Sequence, residues 1–145
     1  MPSIYIRLFH PIESTTTNAQ EVSALMKQLS PERSRVTEQS LRALAENHLL
    51  FVVLADQKIV GMATLIEHRA LNSYTGYIED VVVDGDYRGQ GIAKKLMRTL
   101  IKHGTLLGMV SFSLTSSPRK ESANKLYRAL GFFVRETNAY RYVVS

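Results

Sequence analysis

The chain has 145 residues, of which 45% are hydrophobic and 21% charged, a composition typical of a globular domain and unlike that of a disordered or fibrous chain. It contains no cysteine, which excludes disulfides, thiol catalysis and thiolate zinc sites. The sequence shows no leader peptide and no apolar window of about 18 residues, so we expect a soluble cytoplasmic protein, a single domain over residues 1–145 and no membrane partner.

Basic residues are concentrated in one segment. Between Arg88 and Arg128 there are nine Lys or Arg residues and one acid, Glu121, whereas the net charge of the whole chain is +5. Such a segment favours a polyanion, either nucleic acid or a phosphorylated cofactor, and a solvated helix face has the same pattern. The segment is not an aromatic-interleaved basic stretch and has no recognition-helix signature, so we expect no nucleic-acid partner. The four histidines show no metal-ligand spacing, and we expect no metal.

The first half of the chain alternates strand and helix patterns. "SIYIRLF" predicts an opening strand, and "NAQEVSALMKQL" predicts a helix with Asn18 and Glu21 as a capping pair. "TEQSLRALAEN" predicts a second helix capped by Thr37. "LLFVVLA" and "IVGMATLIEH" predict two strands joined by the short connection "DQK", and "YTGYIEDVVV" predicts another strand whose valines indicate burial on both faces.

The second half predicts a crossover. A helix is expected from about Gly91 to His103, then a strand in "GMVSFSLTSS" and a helix in "RKESANKLYRALG" that Gly131 stops. "FFVRETNAYRYVV" predicts a closing strand pair with a turn near Thr137 and Asn138. The order of elements predicts an α/β or α+β layer with one parallel crossover through the Gly91 helix.

The stretch "DYRGQGIAKKLM" joins the end of a strand to the start of a helix. A helix amino terminus presents unpaired N–H groups and the positive end of the helix dipole, so it holds an anion where the chain allows close approach. The missing Cβ atoms of Gly89 and Gly91 permit that approach, and Ala93 keeps the first turn slim. The stretch lacks the Gly-Lys-Ser/Thr ending of a Walker loop and the third glycine of the dinucleotide motif. A phosphate site and a tight turn without ligand are both consistent with it.

The pattern Arg88-x-x-Gly91-x-Ala93 after a valine-rich strand, followed about thirty residues later by "SANKLYRALGF", resembles the GCN5-related N-acetyltransferase family. In that family the first motif is Arg/Gln-x-x-Gly-x-Gly/Ala, and the order of elements is similar over nearly the whole chain. The resemblance implies a mixed, mostly antiparallel central sheet flanked by about four helices. It also implies that the strand ending in Val81–Val83 carries a bulge and splays away from a parallel neighbour.

The resemblance implies acetyl-coenzyme A as co-substrate, with its pyrophosphate on the amides of the glycine loop and its pantetheine arm along the splayed strand. The implied loop residues are Arg88, Gly89, Gln90, Gly91, Ile92 and Ala93, and the implied strand residues are Val81, Val82 and Val83. Asn124 is a candidate to reach the arm with its amide, with a surface helix residue as the alternative. Relatives often carry an asparagine where this chain has Lys120, which leaves the contacts of the second motif open.

Acetyl transfer from a thioester to an amine needs a base, an oxyanion donor and an acid for the departing thiolate. Tyr127 stands where the family carries the tyrosine that protonates the thiolate, and a core tyrosine is the alternative. Glu79 is the candidate base, because it precedes the valines on the strand beside the acetyl group, and alternation sends it to the face opposite Asp80. A carboxylate in a surface ion pair is the alternative. A backbone N–H near Val81 is the expected oxyanion donor.

We therefore predict an acetyl-coenzyme A-dependent N-acetyltransferase that uses direct attack in a ternary complex, because the chain has no cysteine to carry the acetyl group. The expected acceptor is a primary amine of a small molecule such as an amino sugar, a polyamine or an amino acid. A transferase for protein amino termini or lysines and a non-catalytic coenzyme A-binding module are the alternatives. Relatives often pair through their last strands, which makes "NAYRYVV" a candidate homodimer contact.

Overall fold

The strands lie in one five-stranded sheet in the order in which they occur along the chain. In this computed structural model, which describes residues 2–145, they are β1 (Ile4–Leu8), β2 (Leu49–Ala55), β3 (Lys58–Ala70), β4 (Ser73–Val83) and β5 (Phe112–Ser113). The α-helices of the described residues are α1 (Thr16–Leu29), α2 (Glu38–Asn47), α3 (Ile92–Leu107) and α4 (Glu121–Ala129). β1 to β4 are antiparallel, and β5 is parallel to β4. The mixed, mostly antiparallel sheet with four helices is confirmed.

The chain divides at Thr115 and Ser116 into two units. The first contains the sheet with α1, α2 and α3, and the second contains α4 and the carboxyl-terminal segment. Among residues 2–145, none of the helices is long and apolar enough to cross a membrane.

The two faces of the sheet in the first unit are covered by different helices. α1 and α2 pack on the face that carries Val52 and Met62, through buried side chains that include Leu25 and Leu41. α3 buries Leu96, Met97 and Leu100, none of which is exposed at all. Since side chains alternate along a strand, Leu65 of β3 faces away from Met62 and lies on the α3 side, where it borders Gly76. Thr64 shares the α1–α2 face with Met62.

β4 carries a bulge beside its valines. Met62 pairs with Val82 and Thr64 pairs with Glu79, so Asp80 and Val81 together stand opposite the single residue between Met62 and Thr64. Asp80 has a φ of 54°, in the left-handed region that aspartate tolerates better than most side chains. The bulge that the family resemblance implies is therefore present in β4.

The parallel pair of β4 and β5 is short. Gly76 pairs with Phe112 and Tyr77 with Ser113, after which β4 runs on to Val83 without a β5 partner. The strand predicted over all of "GMVSFSLTSS" is thus too long. Its residues after Ser113 are not paired with β4, and a strand requires backbone groups of a neighbouring strand as hydrogen-bond partners. The pairing of these two strands thus stops after Tyr77 and Ser113, as the splay that the resemblance implies would require.

Three further predictions from the sequence are wrong in detail. The cap of α1 is Thr15, whose side chain accepts from the Asn18 amide, because the helix begins one turn earlier than its apolar pattern. α3 continues past His103 to Leu107 and ends at Gly108, whose φ is 107°. Within residues 132–145 no strand is assigned. The alternation of "NAYRYVV" defines an apolar face, but a strand also needs a neighbouring edge, which periodicity cannot supply.

Phe112 is held between β4 and α3 by two glycines. A Cβ on Gly104 would lie 2.5 Å from the ring carbon Cε1 of Phe112, and a Cβ on Gly76 would lie 2.8 Å from its Cδ1. The ring therefore occupies the space that a side chain at either glycine would need. Its position marks the point from which β4 and β5 separate.

Gly104→Ala is expected to lower the melting temperature, although alanine has the higher helix propensity by about 1 kcal/mol. The added methyl group must displace the Phe112 ring, and overpacking of this kind costs about 1–3 kcal/mol. Thermal unfolding followed by circular dichroism measures the change. Lys102→Ala, at an exposed position of the same helix, is the control for a change of helix propensity that adds no atom to the core. A Gly104→Ala protein as stable as that control would contradict the packing.

Candidate functional site

Two hydrogen bonds fix the start of the turn from β4 into α3. The Gly85 amide donates to Oε1 of Gln28 in α1 over 3.0 Å. Arg88 donates its Nε–H to the Val83 carbonyl over 3.1 Å, so the guanidinium closes the turn onto the end of β4. One donor of the Arg88 guanidinium is therefore used within the turn itself.

Gly89 and Gly91 leave the backbone of this loop open. Their φ values are 77° and 75°, and no atom lies within 4 Å of the place where a Cβ would stand. Gly91 is the N-cap of α3 and has no side chain to accept from the first-turn amides that begin at Ile92. That turn contains Lys94 and Lys95 and no acidic residue, the reverse of the usual preference at a helix amino terminus. Open donors, the helix dipole and the two lysines together suit a multiply charged anion.

The edge of β4 beyond Tyr77 is the second open backbone surface. Val82 and Val83 remain paired with β3, while their other edge has no β5 partner. Val82 and Val83 are buried, and Val81 in the bulge is half-buried. A strand edge with unpaired N–H and C=O groups binds extended amide-containing chains.

Two carboxylates lie at the bulge. Partial burial raises the pKa of Glu79, and the neighbouring Asp80 raises it further, whereas Arg33 and a hydrogen bond with Tyr77 oppose the rise. Burial also raises the pKa of Asp80, again opposed by Arg33. The positive φ of Asp80 interrupts the alternation, so the prediction that Glu79 and Asp80 point to opposite faces no longer follows from the strand pattern.

Arg33 and Gln28 were not predicted from the sequence. Arg33 lies in a 3₁₀ turn, Pro31–Arg33, and Gln28 lies near the end of α1. Both are about fifty residues away along the chain from the groups they act on. No local spacing signals such a pair, because the contact depends on how α1 and the following turn pack against the sheet.

Asp80→Asn is expected to raise the melting temperature at neutral pH. Burial raises the folded-state pKa of Asp80 above the 3.8 of free aspartate, so the folded protein binds this proton more tightly than the unfolded chain. Stability is therefore lost as the pH rises from the unfolded to the folded pKa, and asparagine avoids that loss while tolerating the positive φ. Thermal unfolding across the pH range should show the gain at pH about 7 and none below pH 3.8. A gain that persists in acid, or an equal gain for the exposed control Asp86→Asn, would contradict this origin.

α4 of the second unit carries Tyr127. The residue is half-buried, its ring meets that of Phe132 edge-on with centroids 5.9 Å apart, and burial raises the pKa of its phenol. The Phe132 amide donates to the Tyr127 carbonyl over 2.9 Å, and Gly131 has a φ of 99°. The helix stop predicted at Gly131 is therefore confirmed as a left-handed cap.

Asn124 uses its amide within the start of α4. Nδ2 donates to the carbonyl of Ser117 over 2.9 Å and to that of Lys120 over 2.7 Å. Lys120 is the N-cap of α4 and makes no side-chain capping bond. Both amide hydrogens of Asn124 thus stabilise the turn that opens α4, and Oδ1 takes no part in these two bonds.

A solvent-open cavity of about 560 Å³ lies between β1 and α3. Its lining residues are Ile4, Tyr5, Ile6, Gln90, Ile92, Lys95, Arg98 and Thr99. The cavity shares Gln90 and Ile92 with the glycine loop, but its lining includes no residue of β4. It is therefore distinct from the open edge of that strand.

Comparison with known proteins assigns the family. A profile of the acetyltransferase (GNAT) family matches residues 16–132, and the chain belongs to this family. It is 31% identical over 107 residues to glucosamine 6-phosphate N-acetyltransferase 1 of Oryza sativa subsp. japonica, a match that spans 65% of this chain and 64% of that protein. It is 27% identical over 124 residues to aminoglycoside N(6')-acetyltransferase type 1 of Salmonella enteritidis, spanning 80% of this chain and 86% of the relative.

Solved structures share the fold over almost the whole chain. An aminoglycoside acetyltransferase from an uncultured soil metagenomic sample superposes with a TM-score of 0.83 at 22% identity, over 98% of this chain and 96% of that one. An aminoglycoside N-acetyltransferase in complex with CoA superposes with a TM-score of 0.78 at 23% identity, over 99% of this chain and 96% of that one. These likenesses establish the fold.

Proposed function

We propose that the protein is an acetyl-coenzyme A-dependent N-acetyltransferase, with one catalytic domain over residues 1–145, that acetylates a primary amine of a small molecule. The observation that carries the proposal is the open glycine loop at the end of a strand whose outer edge is unpaired beyond Tyr77. Membership of the GNAT family supports it, and a protein of the same fold binds CoA.

Acetyl-coenzyme A fits these two open surfaces. The amides of the loop residues Arg88, Gly89, Gln90, Gly91, Ile92 and Ala93 suit its pyrophosphate, because no side chain fills the space beside the two glycines. The edge at Val81, Val82 and Val83 suits the peptide-like pantetheine arm, which would pair as a short strand. When bound, the co-substrate supplies the activated thioester. Asn124 enters this proposal through its Oδ1 alone, since its amide hydrogens are used locally.

The chain supplies groups for each proton that must move. Glu79 accepts the amine proton, directly or through water, and its raised pKa brings a carboxylate closer to the neutral range in which a base is most effective. A backbone N–H near Val81 donates to the carbonyl oxygen as negative charge develops there. From the family resemblance, Tyr127 is assigned to protonate the departing sulfur. The new C–N bond replaces the C–S bond directly, because no cysteine can carry the acetyl group.

The acceptor is proposed to be a cationic small molecule. The carboxylates of Glu79 and Asp80 at the bulge attract an ammonium group, and Arg33 beside them suits an acceptor that also carries an anionic or hydroxyl substituent. Acceptors of the relatives named above, an amino sugar phosphate and aminoglycosides, belong to this class. The proposal also includes a homodimer formed through "NAYRYVV". It includes neither a nucleic-acid partner nor a membrane partner.

A thiol-release assay with acetyl-coenzyme A over a panel of amines tests this function. The panel contains glucosamine 6-phosphate, sisomicin, spermidine, amino acids, and peptides with a free amino terminus or a lysine. We expect turnover with at least one small amine. Turnover with peptides alone would establish the protein acetyltransferase alternative, and coenzyme A binding without any acceptor would establish a non-catalytic module.

A further inference from the structure

Thr64 of β3 carries a buried hydroxyl that the fold itself does not satisfy. The residue is 1% exposed, and its Oγ1 has no hydrogen-bond partner within residues 2–145. A buried hydroxyl that has given up its bonds to water is normally paired with another polar group. We therefore expect the Thr64 hydroxyl to form a hydrogen bond with a neighbouring side chain that can move, or with a bound molecule.

The register of the sheet places one such group opposite Thr64. Thr64 pairs with Glu79 across β3 and β4, so the two side chains project from the same face with Cβ atoms about 4.5–5.5 Å apart. On the other side, Thr64 pairs with Leu50, which is fully buried and has no polar side-chain atom. Glu79 has enough rotatable bonds to bring a carboxylate oxygen to the Thr64 hydroxyl. It is the cross-strand neighbour that can accept the bond.

We propose that Thr64 is a positioning residue that donates its hydroxyl hydrogen to one carboxylate oxygen of Glu79. The bond fixes the carboxylate of Glu79 beside the bulge of β4. The second carboxylate oxygen then takes a proton from the amine or from water. This inference rests on the proposed function, because it acts through Glu79 as the base. It adds a residue of β3 that belongs to neither motif of the sequence.

The bond has a defined electrostatic consequence. The groups that act on Glu79 are Asp80 on its own strand, the hydroxyl of Tyr77, and Arg33 from the turn after α1. Burial and Asp80 favour the neutral carboxyl, whereas Arg33 and Tyr77 favour the carboxylate. A hydroxyl that donates to the carboxylate favours the charged form as well, so its removal must raise the pKa of Glu79.

Carbon-13 NMR of the side-chain carboxyl of Glu79 tests the bond without any acceptor. The resonance is assigned by its loss in Glu79→Gln. In Thr64→Val, which keeps the shape and removes the hydroxyl, we expect the pKa of Glu79 to rise by about one unit. In Thr64→Ser, which keeps the hydroxyl, it should stay near the wild-type value. An unchanged titration in Thr64→Val, or an equal rise in Thr64→Ser, would overturn the proposal, and Thr64→Ala provides a second variant without the hydroxyl should valine disturb the fold.

Kinetics then separate this inference from the proposed function. With the amine of the panel that turns over fastest, Glu79→Gln should remove the acidic limb of kcat/KM against pH, and Thr64→Val should move that limb to higher pH with the KM for acetyl-coenzyme A unchanged. If Glu79→Gln leaves the profile as it is, the assignment of the base fails, and the NMR result on Thr64 still decides the bond. If Glu79→Gln changes the profile and Thr64→Val does not, Thr64 alone is excluded.

Discussion

Gly91→Val is expected to lower the affinity for acetyl-coenzyme A by about a hundredfold or more. A β-branched residue is strained at a φ of 75°, so the loop must change shape and withdraw amides from the pyrophosphate. The new side chain also fills the open space beside the backbone. Loss of one or two hydrogen bonds to a charged ligand, about 1.5–3 kcal/mol each, accounts for the size of the effect. Isothermal titration calorimetry measures it.

The opposite end of the same helix provides the control. Gly108 has a φ of 107° and caps α3 at its carboxyl terminus, so Gly108→Val introduces comparable backbone strain far from the loop. We expect this variant to lose stability and to keep its affinity for the co-substrate. Wild-type affinity in Gly91→Val would contradict a backbone anion site, and an equal loss in Gly108→Val would mean that general destabilisation, not the loop, weakens binding.

Tyr127→Phe is expected to lower kcat by about a hundredfold or more while the Kd for acetyl-coenzyme A stays the same. Burial raises the pKa of the phenol, so Tyr127 holds its proton at neutral pH, as the proposed donor to the departing thiolate must. Phenylalanine keeps the edge-on contact with Phe132 and removes only the proton donor. Steady-state rates of thiol release measure the loss, and calorimetry measures the affinity.

Tyr74→Phe is the control for this substitution, because Tyr74 lies at the start of β4 and its hydroxyl donates to Glu67 over 2.8 Å, outside the proposed site. It removes the same hydroxyl from a residue that is given no part in the reaction, so kcat should not change. If Tyr127→Phe retained the full rate, the residue would be a packing tyrosine and another group would have to protonate the sulfur.

Local features of the fold were predictable from the sequence. The structure agrees with the sequence on three local features: the limits of β2, the Thr37 cap of α2 and the stop of α4 at Gly131. Each of these features depends on residues that are close together in the sequence. The glycine loop was also recognisable from the sequence, because few residues other than glycine adopt a positive φ just before a helix. The bulge at Asp80 followed from the family resemblance and not from the alternation, which a bulge interrupts.

Features that depend on distant partners were missed. The short extent of β5 depends on where β4 turns away, and a strand pattern in residues 132–145 does not supply the edge that a strand needs. The effect of Arg33 on the two carboxylates and the pairing of Thr64 with Glu79 depend on packing and register across the sheet. Periodicity identifies which face a residue occupies but not which residue stands beside it.

A titration of nitrogen-15-labelled protein with acetyl-coenzyme A tests most directly whether backbone amides form the co-substrate site. If they do, saturable shifts should appear at the amides of Gly89, Gly91 and Val83, with the largest changes in the loop. Shifts confined to the cavity between β1 and α3, at Tyr5 and Arg98, with the glycine amides unmoved, would contradict it.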